Sequence, residues 1–587
     1  MRECDLVMKG GITSGVVYPR AVAEIAAHYR LRSIGGTSAG AIAAAFAAAA
    51  EYRRQTSPEE PSAGFAAIEA ESQTLARSMK QLFQPAPEMR RLYDLMIALV
   101  TARPGERARA ARWAVTCSHS TAVALTITGT STTVGVACMI GDLWLGIVGL
   151  LVGPLLLAAW IGWGLCRDIR VRLPANDFGL CPGLRQGDGP EGLTDWMCKT
   201  IQTIAGKPVD EVLTIGDLKG AGIELAAMTT DLSSRRPFQL PLVTAKYWFS
   251  EREFRRLFPA HVVERLKGGT QPLPVGKTGA PADLHPLPVG DAFPVVAVAR
   301  MSLSFPGLIS AVPLWRFDDG LKRADGATAK PSRRLRRCLF SDGGISSNFP
   351  IHFFDALLPS RPTFGISLTD YEEARHGSER VVLPSAARQT DDLPARSITS
   401  LSDFAMAIVD TAKDWQDTLQ AMSTGYAERI VEIRLDPKSE GGLNLAMGET
   451  TIERLGAYGR EAGQKFAGFD FDEHRWRRAL TVMPSLEKSF EGITAAWDAP
   501  AQGEGWSSLA TVLSERQPKR YTKLSGTWRR KVLHPFVARL AADGRQTRAA
   551  TEADAGKTVQ GGKALPSIDA HIRLVADADR RPRIQEG

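Results

Sequence analysis

Along residues 1–55 the hydrophobic and polar positions alternate between short apolar runs and helical stripes. CDLVM (4–8) is an apolar run of strand length, and PRAVAEIAAHY (19–29) places its apolar residues at helical spacing. LRSIGG (31–36) reads as a second strand and AGAIAAAFAAAAEYRR (39–54) as a second helix. Strand, helix, strand, helix is the opening of an α/β fold. Further buried strands are expected where apolar runs lie between turn formers: within 221–240, at FPVVAVAR (293–300), RCLFS (337–341) and PTFGISL (362–368). Beyond residue 390, SLSDFAMAIVDTAKDWQDTLQAM and ETTIERLGAYGREAGQKFAG read as helices separated by a strand, ERIVEIRL.

One interval breaks this rhythm. Between Arg112 and Arg167 the only charged residue is Asp142, and LWLGIVGLLVGPLLLAAWIGWGLC (143–166) is almost wholly apolar. A bilayer-spanning helix needs about 20 such residues. Residues 113–166 are long enough for two, with Gly141 and Asp142 as the break, so a transmembrane helical hairpin is expected. Arg103, Arg107, Arg109 and Arg112 precede it and Arg167, Arg170 and Arg172 follow, which places both ends in the cytoplasm. The alternative is a buried helical pair, which the threonines and Ser131 between 126 and 133 would permit.

The hairpin divides the chain into expected parts: residues 1–55 open the catalytic domain, 56–112 form a linker with helices, 113–166 the hairpin, and 167–470 the rest of that domain. A helical extension occupies 471–587, polar enough from about 545 to be mobile. Composition adds little. A 44% hydrophobic content with 23% charged residues fits a folded chain, and the net charge of +8 favours anionic surroundings without naming them. The seven cysteines form no CxxC pair, so neither a disulfide framework nor a metal site is expected, and no cleavable export signal is expected at the N-terminus. GKT in the Pro- and Gly-rich loop 268–290 is not a phosphate-binding loop, because its first required glycine falls on Gln271.

The candidate chemistry lies in IGGTSAG. Ser38 sits between Gly36 and Gly40 where a strand meets a helix, the sequence form of a nucleophile elbow. The following helix turns its N-terminal partial charge toward the serine. Gly10 and Gly11, in KGGITSG (9–15), leave backbone N–H groups open to a substrate oxygen; a plain glycine turn is the other reading. Asp342, in SDGGISSNFP (341–350), is placed to serve as general base or simply to make an Asp-Gly turn. His28 and His352 are the histidines that could complete a triad, though a surface role suits both better.

Taken together, the strand with its GG turn, GTSAG on an elbow, and DGG followed by Asn and Pro resemble the patatin-like phospholipases. MTTDLSSRRPF (228–238) and VARMSLSFPGLISAVPL (298–314) resemble two further segments of that family, the second lining its cleft. The resemblance covers most of 1–55 and 215–370. It implies a three-layer α/β fold with a central, mainly parallel sheet, into which the hairpin is inserted, and a mostly helical C-terminal region. It also implies hydrolysis of lipid acyl esters by a Ser38–Asp342 dyad through an acyl-enzyme, without cofactor or metal. Gly10, Gly11, Ile12 and the amide of Ala39 would donate to the oxyanion. The chain departs from the family at Met8 and Lys9, which precede two glycines where a glycine triplet is usual; Lys9 then faces either an anionic group or solvent. Expected partners are a phospholipid or other acyl lipid and the bilayer, with no nucleic acid. Alternatives are a catalytically silent membrane scaffold of the same fold and a soluble esterase.

Overall fold

A computed structural model describes residues 1–11, 14–102, 106–273, 281–318, 334–384, 426–437, 447–501, 507–515 and 525–553, with scattered positions at 398–411 and 439–444. Ile12, most of the helix expected at 400–422 and part of the loop 268–290 lie outside them.

The expected opening folds as β1 (Arg2–Met8), α1 (Tyr18–His28), β2 (Tyr29–Gly36) and α2 (Ala39–Thr56). Further along come β3 (Gly179–Cys181), β4 (Glu224–Asp231), β5 (Arg236–Leu240), β6 (Trp248–Ser250) and β7 (Leu284–Pro286). They are followed by β8 (Gly307–Ile309), β9 (Val312–Asp318), β10 (Arg334–Asp342), β11 (Thr363–Asp370), β12 (Val381–Val382) and β13 (Ile430–Leu435). All but β3 and β8 join one 11-stranded sheet in the order β12-β13-β11-β1-β2-β4-β10-β9-β6-β7, with β5 on β4.

Its centre, β13-β11-β1-β2-β4, is parallel. The outer strands run antiparallel around the expected parallel centre. Connection length gives the reason at β4 and β5: Leu232–Arg235 is far too short for a crossover, so only a hairpin pairing is open to them. β1 and β2 precede the apolar hairpin and β4 and β10 follow it, so the sheet is built from both sides of that interval. FPVVAVAR is corrected from strand to helix. Val295–Ser302 is α-helical and every residue of it is buried, and a helix buried all round carries no periodicity to distinguish it from a buried strand. The loop 268–290 also contains β7, whose Leu284 and His285 are buried.

Between α2 and the hairpin lie α3 (Ala63–Leu82), α4 (Arg90–Thr101) and α5 (Arg107–Ser118). The hairpin is α6 (Ser120–Ile140) and α7 (Leu143–Arg167), both long and apolar enough to cross a membrane. In their most apolar windows 6% and 0% of residues are buried, so the hairpin is not the core of this chain. Gly141, at φ 70, ends α6, and the Asp142 carboxylate accepts from Trp144 N–H at 2.9 Å and Leu145 N–H at 3.2 Å. This is the break expected at that pair.

The two helices meet along small residues. A Cβ at Gly149 would come 2.8 Å from Thr133 Cγ2, one at Gly153 2.7 Å from Thr130 Oγ1, and one at Gly146 3.5 Å from Ala137 Cβ. Only the last has room. That spacing suits a disulfide, so Ala137→Cys with Gly146→Cys in a Cys138→Ser background should crosslink. Adding Gly149→Leu should slow crosslinking at least about fivefold by wedging the helices apart; unchanged crosslinking in a gel-shift assay would reject this packing.

The C-terminal region is helical, with Phe471–Asp498 packed on His534–Ala553 through Thr494 Oγ1 and Ala541 O at 2.8 Å. The polar stretch from 545 is therefore helical as far as Ala553.

Candidate active site

β2 ends at Gly36 and α2 starts at Ala39, leaving Thr37 and Ser38 to turn the chain. Ser38 does so at φ 56 and ψ −125, a conformation that costs a non-glycine residue on the order of 1–3 kcal/mol. Its neighbours explain how the turn closes. A Cβ at Gly36 would lie 2.4 Å from Gly40 O, and one at Gly40 2.4 Å from Met8 O, so both glycines let backbone touch backbone. The elbow is thus held against the end of β1.

The KGG loop leaves β1 beside it. Gly10 donates its N–H to Asn348 O at 2.7 Å, which corrects the expectation that it serves as an oxyanion donor. Its lack of a side chain is what matters, because a Cβ there would fall 2.2 Å from Asn348 Oδ1. Gly11 O accepts from Ala39 N–H at 3.2 Å and from the Ser38 hydroxyl at 3.3 Å. Two groups expected to act on a substrate are therefore occupied by a carbonyl of the chain itself. Among the described residues Gly11 N–H meets no backbone acceptor. Lys9 is half-buried, and its carbonyl accepts from Tyr18 OH.

Asp342 closes β10. Register places it just beyond the level at which β2 ends and the elbow begins: Gly36 pairs with Ala227, and two residues further along β4 Thr229 pairs with Asp342. The two backbones are two strand spacings apart, about 10 Å. Asp342 Oδ1 accepts from Gly344 N–H at 2.7 Å, and its own N–H donates to Ser304 O at 3.0 Å. Thr230 Oγ1 donates to Asp342 O at 3.0 Å. Asn348 Oδ1 lies against the positions where a Cβ on Gly10 or on Gly344 would sit, at 2.2 and 2.9 Å. The GG loop, the elbow and the DGG segment are thereby brought into one cluster.

Sequence reasoning placed 298–314 beside the cleft by resemblance but missed the contacts with which it supports the cluster. Ser302 Oγ accepts the Ser38 N–H at 3.1 Å, so the end of the buried helix Val295–Ser302 holds the elbow from behind. Arg300, fully buried, reaches Ser304 Oγ at 2.7 Å, Pro182 O at 2.9 Å and Ser310 O at 3.0 Å. Burial pushes its pKa down to about 10, which still leaves it charged at neutral pH. The only available sequence signal was an arginine inside an apolar run followed by Ser-x-Ser.

That segment is also joined to the hairpin. α7 continues through a π turn at Asp168–Arg172 and ends at Ala175, after which Asp177 and Phe178 both adopt positive φ, 54 and 57. Ser310 Oγ donates to Asn176 O at 2.8 Å, Ala311 N–H to Asp177 O at 3.0 Å, and Gly307 N–H to Phe178 O at 3.2 Å. Buried Asp177 also pairs with Arg337.

The histidines lie elsewhere. His28 is exposed on α1, 4.0 Å from Glu24, and His352 is exposed on the turn after Pro350. Burial pushes the thiols of Cys198 and Cys338 up to about 11, so neither offers a thiolate at neutral pH.

Fold and site together define a mixed α/β protein whose parallel-centred sheet presents a strained serine elbow at the carboxyl end of its second strand. No family model matches the chain. Over 573 residues it is 36% identical to the RpoH suppressor of Rhizobium meliloti (strain 1021), covering 84% of this chain and 87% of that protein, and it belongs to that protein's family. Among solved structures it is similar to VipD from Legionella pneumophila, with a TM-score of 0.28 and 11% identity over 96% of this chain and 90% of the other. Likeness at that level assigns neither fold nor activity.

Proposed function

We propose that the chain is a membrane-anchored lipid acyl hydrolase of the patatin-like phospholipase kind, with its body on the cytoplasmic side and α6 and α7 in the bilayer. The observation that carries this reading is the backbone of Ser38, held at φ 56 and ψ −125 between two glycines that cannot be replaced without backbone overlap. Strain of this kind persists where the surrounding fold enforces it, and it clusters at active sites.

In the proposed reaction Ser38 Oγ attacks the acyl carbonyl while its proton passes to the Asp342 carboxylate. The tetrahedral oxyanion takes hydrogen bonds from Gly11 N–H and from Ala39 N–H, displacing the Gly11 carbonyl from the latter. Collapse releases the lysolipid alcohol, which takes up the proton, and leaves an acyl-serine. Asp342 then takes a proton from the water that attacks the acyl-serine, and as the acyl–oxygen bond breaks that proton returns to Ser38 Oγ and the fatty acid leaves. The exposure of α6 and α7 disfavours a soluble esterase, and anchoring raises the effective concentration of bilayer substrate.

One observation favours the silent-scaffold reading: Gly11 O already takes both the Ser38 hydroxyl and the Ala39 N–H. A fluorophosphonate probe separates the two. Covalent labelling of the wild type, lost in Ser38→Ala, together with fatty-acid release from a mixed phospholipid extract followed by mass spectrometry, supports the hydrolase; an unlabelled, folded wild type refutes it. His352→Ala should keep activity within about threefold, since a solvent-facing histidine adds no base. A loss in that variant as deep as that of Asp342→Ala would replace the dyad with a triad.

A further inference from the structure

The hairpin ends in a basic collar. Arg107, Arg109 and Arg112 on α5, and Arg167 and Arg170 at the end of α7, are all exposed, and none has a carboxylate partner among the described residues. The nearest acidic residues in sequence are Glu106 and Asp168, and Asp168 is buried and paired with Arg172 at 2.8 Å. A tryptophan flanks the collar on each side, Trp113 beside Arg112 and Trp163 under the Arg167 guanidinium, 72% and 62% exposed.

The spacing along α7 says what lies above. Trp144, 76% exposed at the tip, and Trp163 are on the same helix, and at helical rise the 19 residues between them span about 28 Å. The hydrocarbon core of a bilayer is about 30 Å thick, and tryptophan gathers at its two boundaries. With Trp144 at one boundary and Trp163 at the other, Arg167 and Arg170 fall in the headgroup layer of the leaflet nearest the folded body, and His119 against Trp160, ring centroids 5.5 Å apart, brings the end of α5 to the same boundary. Guanidinium groups without internal partners, held at that depth, match lipid phosphate, which they grip through paired N–H donors.

We propose that this collar is a binding surface for anionic phospholipid headgroups, so that the protein gathers anionic lipid around the hairpin and draws its substrate from that pool. The proposal rests on the membrane-inserted hairpin of the reading above, and its test is independent of Ser38 chemistry. A zwitterionic headgroup offers the same phosphate with a cation that opposes the collar, so net lipid charge is what the surface discriminates. Each arginine at an anionic surface contributes roughly fivefold to partition.

The test uses the full chain carrying Ser38→Ala, so that no lipid is consumed, in nanodiscs of equimolar phosphatidylcholine and phosphatidylglycerol. Lipids retained on the released protein are counted by native mass spectrometry. Retention of phosphatidylglycerol over phosphatidylcholine by at least about fivefold is expected. The preference should fall to near unity when all five arginines become glutamine and should largely return when they become lysine. Equal retention of the two lipids by the parent chain overturns the proposal alone, as does displacement of phosphatidylglycerol by added nucleic acid. A chain that fails to enter nanodiscs overturns the inserted hairpin as well. Normal lipid enrichment in a chain whose Ser38-intact form takes no fluorophosphonate would leave the collar standing and remove only the hydrolase.

Discussion

Replacing Ser38 with alanine should lower fatty-acid release from phospholipid vesicles by at least about 10⁴-fold, since removing a serine nucleophile disables the whole catalytic unit. The fold should survive, because Ser38 is held through its backbone, by Ser302 Oγ and by the glycines around it, and its hydroxyl adds only the 3.3 Å bond to Gly11 O. Ser38→Gly makes the complementary point. Glycine adopts φ 56 without penalty, so this variant should be as inactive as Ser38→Ala and more stable to heat or urea, by about 1 kcal/mol. A residue kept at a conformational cost that its own removal relieves is retained for chemistry. If Ser38→Gly instead proved both active and destabilised, the elbow would be an ordinary turn.

The second large effect is expected from Asp342→Asn. Asparagine can still accept from Gly344 N–H, as Asp342 Oδ1 does at 2.7 Å, and leaves the backbone bonds to Ser304 and Thr230 untouched, so the site keeps its shape and loses its base. Turnover should fall by about 10³-fold, within the usual range for general-base catalysis. Because the two residues act as one unit, Ser38→Ala with Asp342→Asn should be no slower than Ser38→Ala alone. Additive losses in the double variant would mean that Asp342 contributes through something other than activating the serine.

What the sequence disclosed follows from how local each signal was. β1, β2, β4, β10 and β11 are apolar runs ended by turn formers, and all lie where those runs do. The hairpin and its break at Gly141 and Asp142 were legible because nothing but an apolar surface tolerates so long a charge-free interval. Ser38, Gly36, Gly40 and Asp342 each carry a local turn signature. Gly10 was misassigned because the fate of its N–H is decided by Asn348, far along the chain, and no pattern near residue 10 reports that partner. The segment carrying Arg300, Ser302 and Ser304 was placed at the cleft by resemblance alone, and their contacts stayed hidden for the same reason: the helix Val295–Ser302 is buried on every side, so its periodicity says nothing. Gly11 could be recognised as open backbone, but the direction of its carbonyl, toward Ser38, is a matter of three dimensions.

The junction after α7 bears on how the proposed membrane anchor would be joined to the folded body. One helix runs from Leu143 to Ala175 and passes directly into Asp177 and Phe178, two consecutive non-glycine residues in the left-handed region. Such residues have almost no neighbouring conformation to relax into, and hydrogen bonds from Gly307, Ser310 and Ala311 hold the carbonyls of this turn. Three consecutive carbonyls, of Asn176, Asp177 and Phe178, brace the joint. On the proposed reading, with α6 and α7 in the bilayer, such a joint would hold the body in one attitude to the leaflet, and lipids would come to Ser38 by lateral diffusion toward a fixed station.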